Sequence, residues 1–226
     1  MAACGHAVVT GASSGIGAAI ARRLLADGWR VTGLDRAAPA IAGDGFESRE
    51  VDLGDEVGIR AAVAGLAPTA LVHAAGFMRV GTLGALDAES GEAMWRVHVQ
   101  AAAVLADALV AGFARGGRIV LIGSRTAAGA AGRSLYAASK AALTGMARSW
   151  AIELAPRGVT VNVIAPGATE TPMLQDPGRS GVAPRLPPIG RFVRPEEIAA
   201  AAAFLLSEDA AAITGQQLVI CGGASL

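Results

Sequence analysis

The sequence contains one tyrosine, Tyr136, and one lysine, Lys140, and they stand four residues apart. On an α-helix that spacing puts both side chains on one face, with the ammonium within reach of the phenol. An unperturbed phenol ionises at about pH 10, too high for proton exchange near neutrality, and a nearby cation favours its phenolate. Lysine suits this task better than arginine, because its charge is compact and rides on a flexible stem whereas a guanidinium is a planar fork. The pair reads as a proton donor and acceptor with its tuning cation. The plainer reading is a surface lysine beside a core tyrosine.

Ser124 closes an apolar run twelve places before Tyr136, at a strand end where open α/β sheets bind ligands. Its hydroxyl can hold a substrate oxygen. A serine there is otherwise an ordinary turn residue, so Ser124 draws its weight from Tyr136.

Thr10-Gly-Ala-Ser-Ser-Gly-Ile-Gly17 follows the first apolar run and opens a helical stretch, the setting a phosphate-binding loop requires. Glycines at Gly11, Gly15 and Gly17 let a diphosphate approach the backbone N–H groups and the positive end of the helix, with Ser13, Ser14 and Ile16 between them. A tight strand-to-helix turn is the other reading of the loop alone. Asp35 ends the second strand twenty residues after Gly15, where an acid accepts hydrogen bonds from an adenosine ribose and repels a 2′-phosphate. That favours NAD over NADP, as does the lack of a basic residue in the loop. Arg36 works the other way and leaves NADP open.

These groups need elements to position them. Short β-rich apolar runs at His6–Thr10, Arg30–Asp35, Phe46–Val51, Ala70–Ala74, Arg118–Gly123, Val159–Ala165 and Gln217–Cys221 are predicted strands. Helical stretches are predicted near Ile16–Asp27, Glu56–Leu66, Ala88–Ala114, Leu135–Ala155 and Pro195–Leu206. Only Pro39–Asp44 separates two strands without a helix. The alternation is that of βαβ units, and with no repeat or linker it favours one doubly wound α/β domain spanning 1–226. Thr171–Gly190, rich in proline and glycine, is the one long irregular stretch and is expected to cover a substrate.

Hydrophobic residues make up 53% of the chain and formal charges balance to zero, which supports a core and offers no basic excess for nucleic acid. No apolar stretch is long enough to span a bilayer, and the N-terminal residues show no secretory pattern, so no membrane partner and a cytoplasmic location are expected. Cys4 and Cys221 lack disulfide or metal-ligand spacing, so no metal site is expected and two reduced thiols are.

Thr10 to Gly17, Ser124, Tyr136-Ala-Ala-Ser-Lys140, Pro166-Gly167 with Thr171, and Ile213-Thr-Gly-Gln-Gln217 with Gly222-Gly223 together resemble the short, single-domain branch of the short-chain dehydrogenase/reductase family. The resemblance covers essentially the whole chain. It implies a seven-stranded parallel sheet in the order 3-2-1-4-5-6-7 with helices on both faces, a Rossmann fold assembled as a homotetramer or homodimer. It implies that Tyr136 exchanges a proton with a small secondary alcohol or ketone, that Ser124 holds the reacting oxygen, and that Lys140 binds the nicotinamide ribose while lowering the tyrosine pKa. Asp52 and Leu53 would receive the adenine. Ala74, Ala75 and Gly76 would line the cofactor, Pro166 and Gly167 would follow along the cleft, and Thr169 and Thr171 would sit by the carboxamide.

The chain departs from the family at several places. His73-Ala-Ala-Gly76 stands where Asn-Asn-Ala-Gly is usual, and Val97-His98-Val99 where a catalytic Asn is usual. Asn162 is the only asparagine, so a proton relay behind Lys140 must use His98 or do without. An imidazole has an unperturbed pKa of about 6.5, and a relay through His98 would fail below it. A helix histidine filling the asparagine's space is the alternative. The short second crossover, with Val31-Thr-Gly-Leu-Asp35 and Ala75-Gly-Phe-Met-Arg-Val-Gly81, is similar to 2,3-dihydro-2,3-dihydroxybenzoate dehydrogenases and hints at a dihydrodiol substrate.

Enoyl reductases of the family separate their Tyr and Lys more widely than Tyr136 and Lys140. A cofactor-binding regulator without activity is the reading from another class, opposed by retention of the single Tyr and single Lys. Phe77, Met78, Leu135, Met173 and Leu174 are the expected pocket lining, though such residues equally build a core. Arg125 either reads a substrate carboxylate or makes a loop ion pair. Trp150, on an apolar stripe of its helix, is expected either to meet another subunit or to pack within its own.

Overall fold

The structure is a computed structural model that describes residues 5–39, 41–113, 115–179 and 184–226. Seven strands, β1 (His6–Thr10), β2 (Arg30–Asp35), β3 (Phe46–Glu50), β4 (Ala70–His73), β5 (Arg118–Ile122), β6 (Thr160–Pro166) and β7 (Gln217–Ile220), form one sheet in the order β3-β2-β1-β4-β5-β6-β7. Every neighbouring pair is parallel. The expected sheet order and Rossmann architecture are therefore observed. Where strand ends differ from those read in the sequence, they shift by one residue.

The helices are α1 (Gly15–Ala26), α2 (Glu56–Val63), α3 (Ala88–Trp95), α4 (Ala101–Val110), α5 (Ser134–Leu154) and α6 (Pro195–Leu206). Strand β5 shows how the layers arise. Ile119 and Leu121 join Ile59, Leu105, Leu143 and Ala147 in the core beneath α2, α4 and α5, while Val120 and Ile122 join Ile20, Leu24, Ile198 and Leu205 beneath α1 and α6. Successive side chains of a strand point to opposite faces, so a strand buried on both sides must be apolar throughout, as Arg118–Ile122 nearly is.

Two expectations change here. The stretch Ala88–Ala114 is not one regular helix: Arg96–Gln100 forms a π-helical turn between α3 and α4, with His98 in its middle. The stretch from Thr171 onward begins with two short 3₁₀ turns, Pro172–Gln175 and Pro177–Arg179. Cys4, Ala114 and residues 180–183 of the irregular stretch lie outside the described residues, whereas Cys221 is a buried free thiol.

Candidate active site

The sheet order reverses between β1 and β4, and the chain leaving each of these strands opens a crevice where ligands of such sheets bind. Thr10, at the end of β1, fastens the two exits together. Its hydroxyl oxygen accepts hydrogen bonds from the backbone N–H groups of Ala74 and Ala75, both at 3.0 Å, and donates to His73 Nδ1 at 3.0 Å.

The glycine loop then turns into α1. A β-carbon on Gly17 would lie 2.2 Å from the Gly11 carbonyl oxygen, so glycine is required by packing of the loop on itself, before any ligand contact. Gly11 has φ +69° and a β-carbon there would lie 2.9 Å from the Ala75 backbone. No acidic side chain occupies the first turn of α1, and Ser14 makes no side-chain cap. The N–H groups of that turn thus face the crevice with the positive end of the helix, a cradle for a diphosphate. Asp35 leans over the loop: its Oδ2 accepts from Ser13 N–H at 3.0 Å and from Ser13 Oγ–H at 2.6 Å, and its Oδ1 accepts from Ala37 N–H at 3.1 Å.

From this loop a cleft of about 1420 Å³ runs to Ser124, Tyr136 and Lys140. Every residue expected from the sequence to touch the cofactor, from Gly11 to Thr171, lines it. So do Phe77, Met78, Met173, Leu174 and Arg125. Leu135 does not: it packs toward α3, where a β-carbon on Gly91 would come within 2.7 Å of its Cδ1. Neighbouring helical residues face about 100° apart, so the residue beside Tyr136 looks elsewhere. His98 is buried behind the cleft rather than lining it.

Ser124 caps the 3₁₀ turn Arg125–Ala128, its Oγ accepting from Thr126 N–H at 3.1 Å, and it lines the same end of the cleft as Tyr136. Burial pushes the Tyr136 pKa up, opposed by the Ser124 hydroxyl and by the charges of Arg179 and Arg133. Lys140 Nζ donates to the Ile122 carbonyl at 2.8 Å, and burial lowers its pKa to about 7. Two arginines that the sequence did not point to therefore act on the phenol. An ammonium with a pKa of about 7 carries only part of its charge at neutrality.

His98 differs from the expected relay. Its Nε2 accepts from Phe77 N–H at 3.2 Å and its Nδ1 lies 2.9 Å from Ser139 Oγ, which itself donates to the Tyr136 carbonyl at 2.9 Å. Ser139 has spent its hydrogen on that carbonyl, so His98 carries its proton on Nδ1 and accepts on Nε2. Burial, Lys140 and His73 hold its pKa well below 6.5. The acid-side switch near pH 6.5 expected from an unperturbed imidazole is therefore not a property of this histidine.

The geometry is that of a dinucleotide cleft ending in a buried Ser, Tyr and Lys. Comparison with known proteins agrees: a family model described as enoyl-(acyl carrier protein) reductase matches residues 11–225. The chain belongs to the short-chain dehydrogenase/reductase family. It is 37% identical over 234 aligned residues, 96% of each chain, to the 3-oxoacyl-[acyl-carrier-protein] reductase FabG of Escherichia coli. Among solved structures, a blue fluorescent protein from a metagenomic library in complex with NADPH superposes with TM-score 0.86 at 33% identity, covering 98% of both chains. A 3-ketoacyl-(acyl-carrier-protein) reductase from Brucella melitensis complexed with NADH superposes with TM-score 0.88 at 29% identity, again over 98% of both. The protein is thus an oxidoreductase of the NAD(P)-dependent short-chain type. No helix among the described residues is long and apolar enough to cross a membrane, and no group of three or more His, Cys, Asp or Glu gathers there as a metal would require.

Arg133, Arg179 and Ser139 escaped the sequence reading. Arg133 precedes Tyr136 by three residues, one helical turn, and that spacing was the available signal. Ser139 gave none, since a serine within a helix reads as an exposed polar residue.

Proposed function

We propose that this enzyme reduces the ketone of a 3-oxoacyl compound, or oxidises the corresponding secondary alcohol, with Tyr136 as proton donor and acceptor. The observation that carries the reading is the convergence of Ser124, the buried Tyr136 and the buried Lys140 at the end of the cleft that starts in the glycine loop. Two hydroxyls converge there on the place of one substrate oxygen. Protonation at oxygen suits a carbonyl better than the carbon–carbon double bond of an enoyl substrate. The FabG relative supports a ketoacyl substrate over a dihydrodiol. Nothing favours a regulator without activity.

A bound nicotinamide dinucleotide supplies or accepts the hydride. The glycine cradle fits its diphosphate, and Asp35 at the end of β2 fits its adenosine ribose. Asp35 supports NAD over NADP: a carboxylate offers about four lone-pair positions, three donors use some of them here, and room remains for a ribose hydroxyl but not for a 2′-phosphate. Relatives are known with either cofactor, so this preference rests on Asp35. Ser124 orients the carbonyl, and Tyr136 gives its proton to the oxygen. Lys140, one turn along α5, anchors the nicotinamide ribose. His98 serves as a positioning residue, holding Ser139 and the Phe77 N–H around the pair.

We read the enzyme as a cytoplasmic homotetramer or homodimer. Support comes from β7, an edge strand with Leu218 and Val219 half exposed, and from an exposed Phe204 on α6. Trp150 gives less support, since it packs partly against the core of its own chain.

The test is oxidation of NADH and NADPH followed at saturating acetoacetyl-CoA. Turnover with NADH is expected. No oxidation of either cofactor by this or simpler 3-oxo substrates would overturn the reading.

A further inference from the structure

Arg125, Arg133 and Arg179 crowd the substrate end of the cleft. Arg133 feels the charges of both other arginines and of Tyr136, and Arg133 and Arg179 both act on the phenol. Guanidinium groups gathered at one end of a cleft repel one another, and proteins ordinarily relieve this with acids. Here none does: among the described residues, no ion pair includes any of the three. The one acid lining this end, Asp176, is held by Arg79 at 3.2 Å and by the Gly178 N–H at 2.7 Å.

Their hydrogen bonding is incomplete as well. Among the described residues the Arg179 guanidinium donates once, to the Met173 carbonyl at 3.2 Å, and the Nε–H groups of Arg133 and Arg179 are buried without a partner. Buried donors without acceptors are costly, and guanidinium forks match the two oxygens of a carboxylate. The contrast within this chain is Arg191, whose fork closes on both oxygens of Glu197.

We propose that Arg133, with Arg179 and Arg125, binds a carboxylate carried by the substrate within a few bonds of the reacting carbonyl. This rests on the ketone reading above and narrows it to oxo acids. The anion must lie close to the carbonyl because Arg125 directly follows Ser124 and Arg133 stands three residues before Tyr136, all lining one end of the cleft. Phosphates of a thioester carrier lie a whole pantetheine arm away from a 3-oxo group and do not meet that condition.

Acetoacetate and ethyl acetoacetate present the same ketone with and without the charge. With the holoenzyme, kcat/KM for acetoacetate should exceed that for the ester by about tenfold or more. Arg133→Gln and Arg179→Gln should each shrink that ratio, chiefly by raising KM for the acid. An ester reduced as well as the acid, or a ratio unmoved in both variants, overturns the proposal. Calorimetric titration of succinate into the protein with NAD separates this from failure of the ketone reading. If neither ketone is reduced, saturable succinate binding that Arg133→Gln abolishes still sustains the carboxylate site. Absence of binding removes it.

Discussion

His73 Nε2 lies 3.0 Å from the carbonyl oxygen of Val97, in the π-helical turn that carries His98. The Thr10 hydroxyl donates to Nδ1, so the ring proton sits on Nε2 and points at that carbonyl. A π turn leaves backbone carbonyls without their usual helical partners, and here a fully buried side chain from β4 takes one up. The start of the nucleotide loop, the exit of β4 and the turn behind the catalytic pair are thereby tied through one imidazole.

His73→Ala should therefore destabilise the protein by about 2–4 kcal/mol, since it opens a cavity and leaves both Thr10 and Val97 without a buried partner. Urea denaturation checks this. A loss of a few tenths of a kcal/mol would mean that the tie carries little strain.

Tyr136→Phe should lower turnover by about two orders of magnitude or more while leaving nucleotide affinity nearly intact, because only the ionisable oxygen is removed. The measurement is single-turnover reduction alongside equilibrium titration of NADH. Turnover within a factor of about three of wild type would remove Tyr136 from the chemistry.

How much of this was legible beforehand depended on what each residue needs. Strands could be read because β4 and β5 must be apolar on both faces, whereas the sheet order came from the family resemblance alone. Tyr136, Lys140 and the glycine loop were conspicuous through rarity or spacing. The π turn was not, since Ala88–Ala114 is good helix sequence throughout and its widening accompanies contacts from β4 and α5 that are distant in sequence. Arg133 and Arg179 were hidden for a related reason: what marks them is the absence of an acid nearby in space.

Lys140→Met should abolish activity yet raise stability at pH 7. Burial depresses the lysine from 10.5 to about 7, so the folded state holds fewer protons than the unfolded chain between those values. Stability from this group is complete above about pH 10.5 and is lost as pH falls through about 7. Near neutrality the penalty is on the order of 4 kcal/mol, against about 1–3 kcal/mol for the hydrogen bond to the Ile122 carbonyl that methionine forfeits. Melting temperatures of both proteins from pH 7 to 10 should converge as the wild type gains stability. A variant less stable than wild type at pH 7 would contradict the sign.

Asp35→Ala should weaken NADH binding and strengthen NADPH binding, each by about tenfold, because it removes a ribose acceptor and a charge that repels the 2′-phosphate. Ser13 also loses its acceptor for both N–H and Oγ–H, which adds a modest stability cost. Dissociation constants from nucleotide fluorescence decide it. A wild-type preference for NADPH would end the assignment.

Acid should unfold this protein before it switches the chemistry off. His73, with a pKa of about 3, and His98, well below 6.5, are both buried and fully bonded as neutral rings. A proton added to His98 would have to displace the Phe77 N–H from Nε2, and one added to His73 would have to displace the Thr10 hydroxyl from Nδ1. Both folded pKa values are depressed, so the stability these groups contribute is present above about pH 6.5 and lost as pH falls below it. Each ring costs about 1.4 kcal/mol per pH unit until the native state takes up its proton, so His73 alone removes roughly 2 kcal/mol by pH 5 and His98 adds in the same direction. His6, lowered chiefly by burial, adds in the same direction. That is a large share of an ordinary domain's stability of about 5–15 kcal/mol. His98→Asn puts an amide that does not titrate in the same place. Its stability, measured by urea denaturation from pH 8 to 5, should fall less steeply than that of wild type by one histidine's contribution, while kcat of the folded enzymes shows no separate step near pH 6.5. Parallel stability profiles for the two proteins would show that His98 is protonated in the native state without cost, and the bonded neutral ring would have to be abandoned.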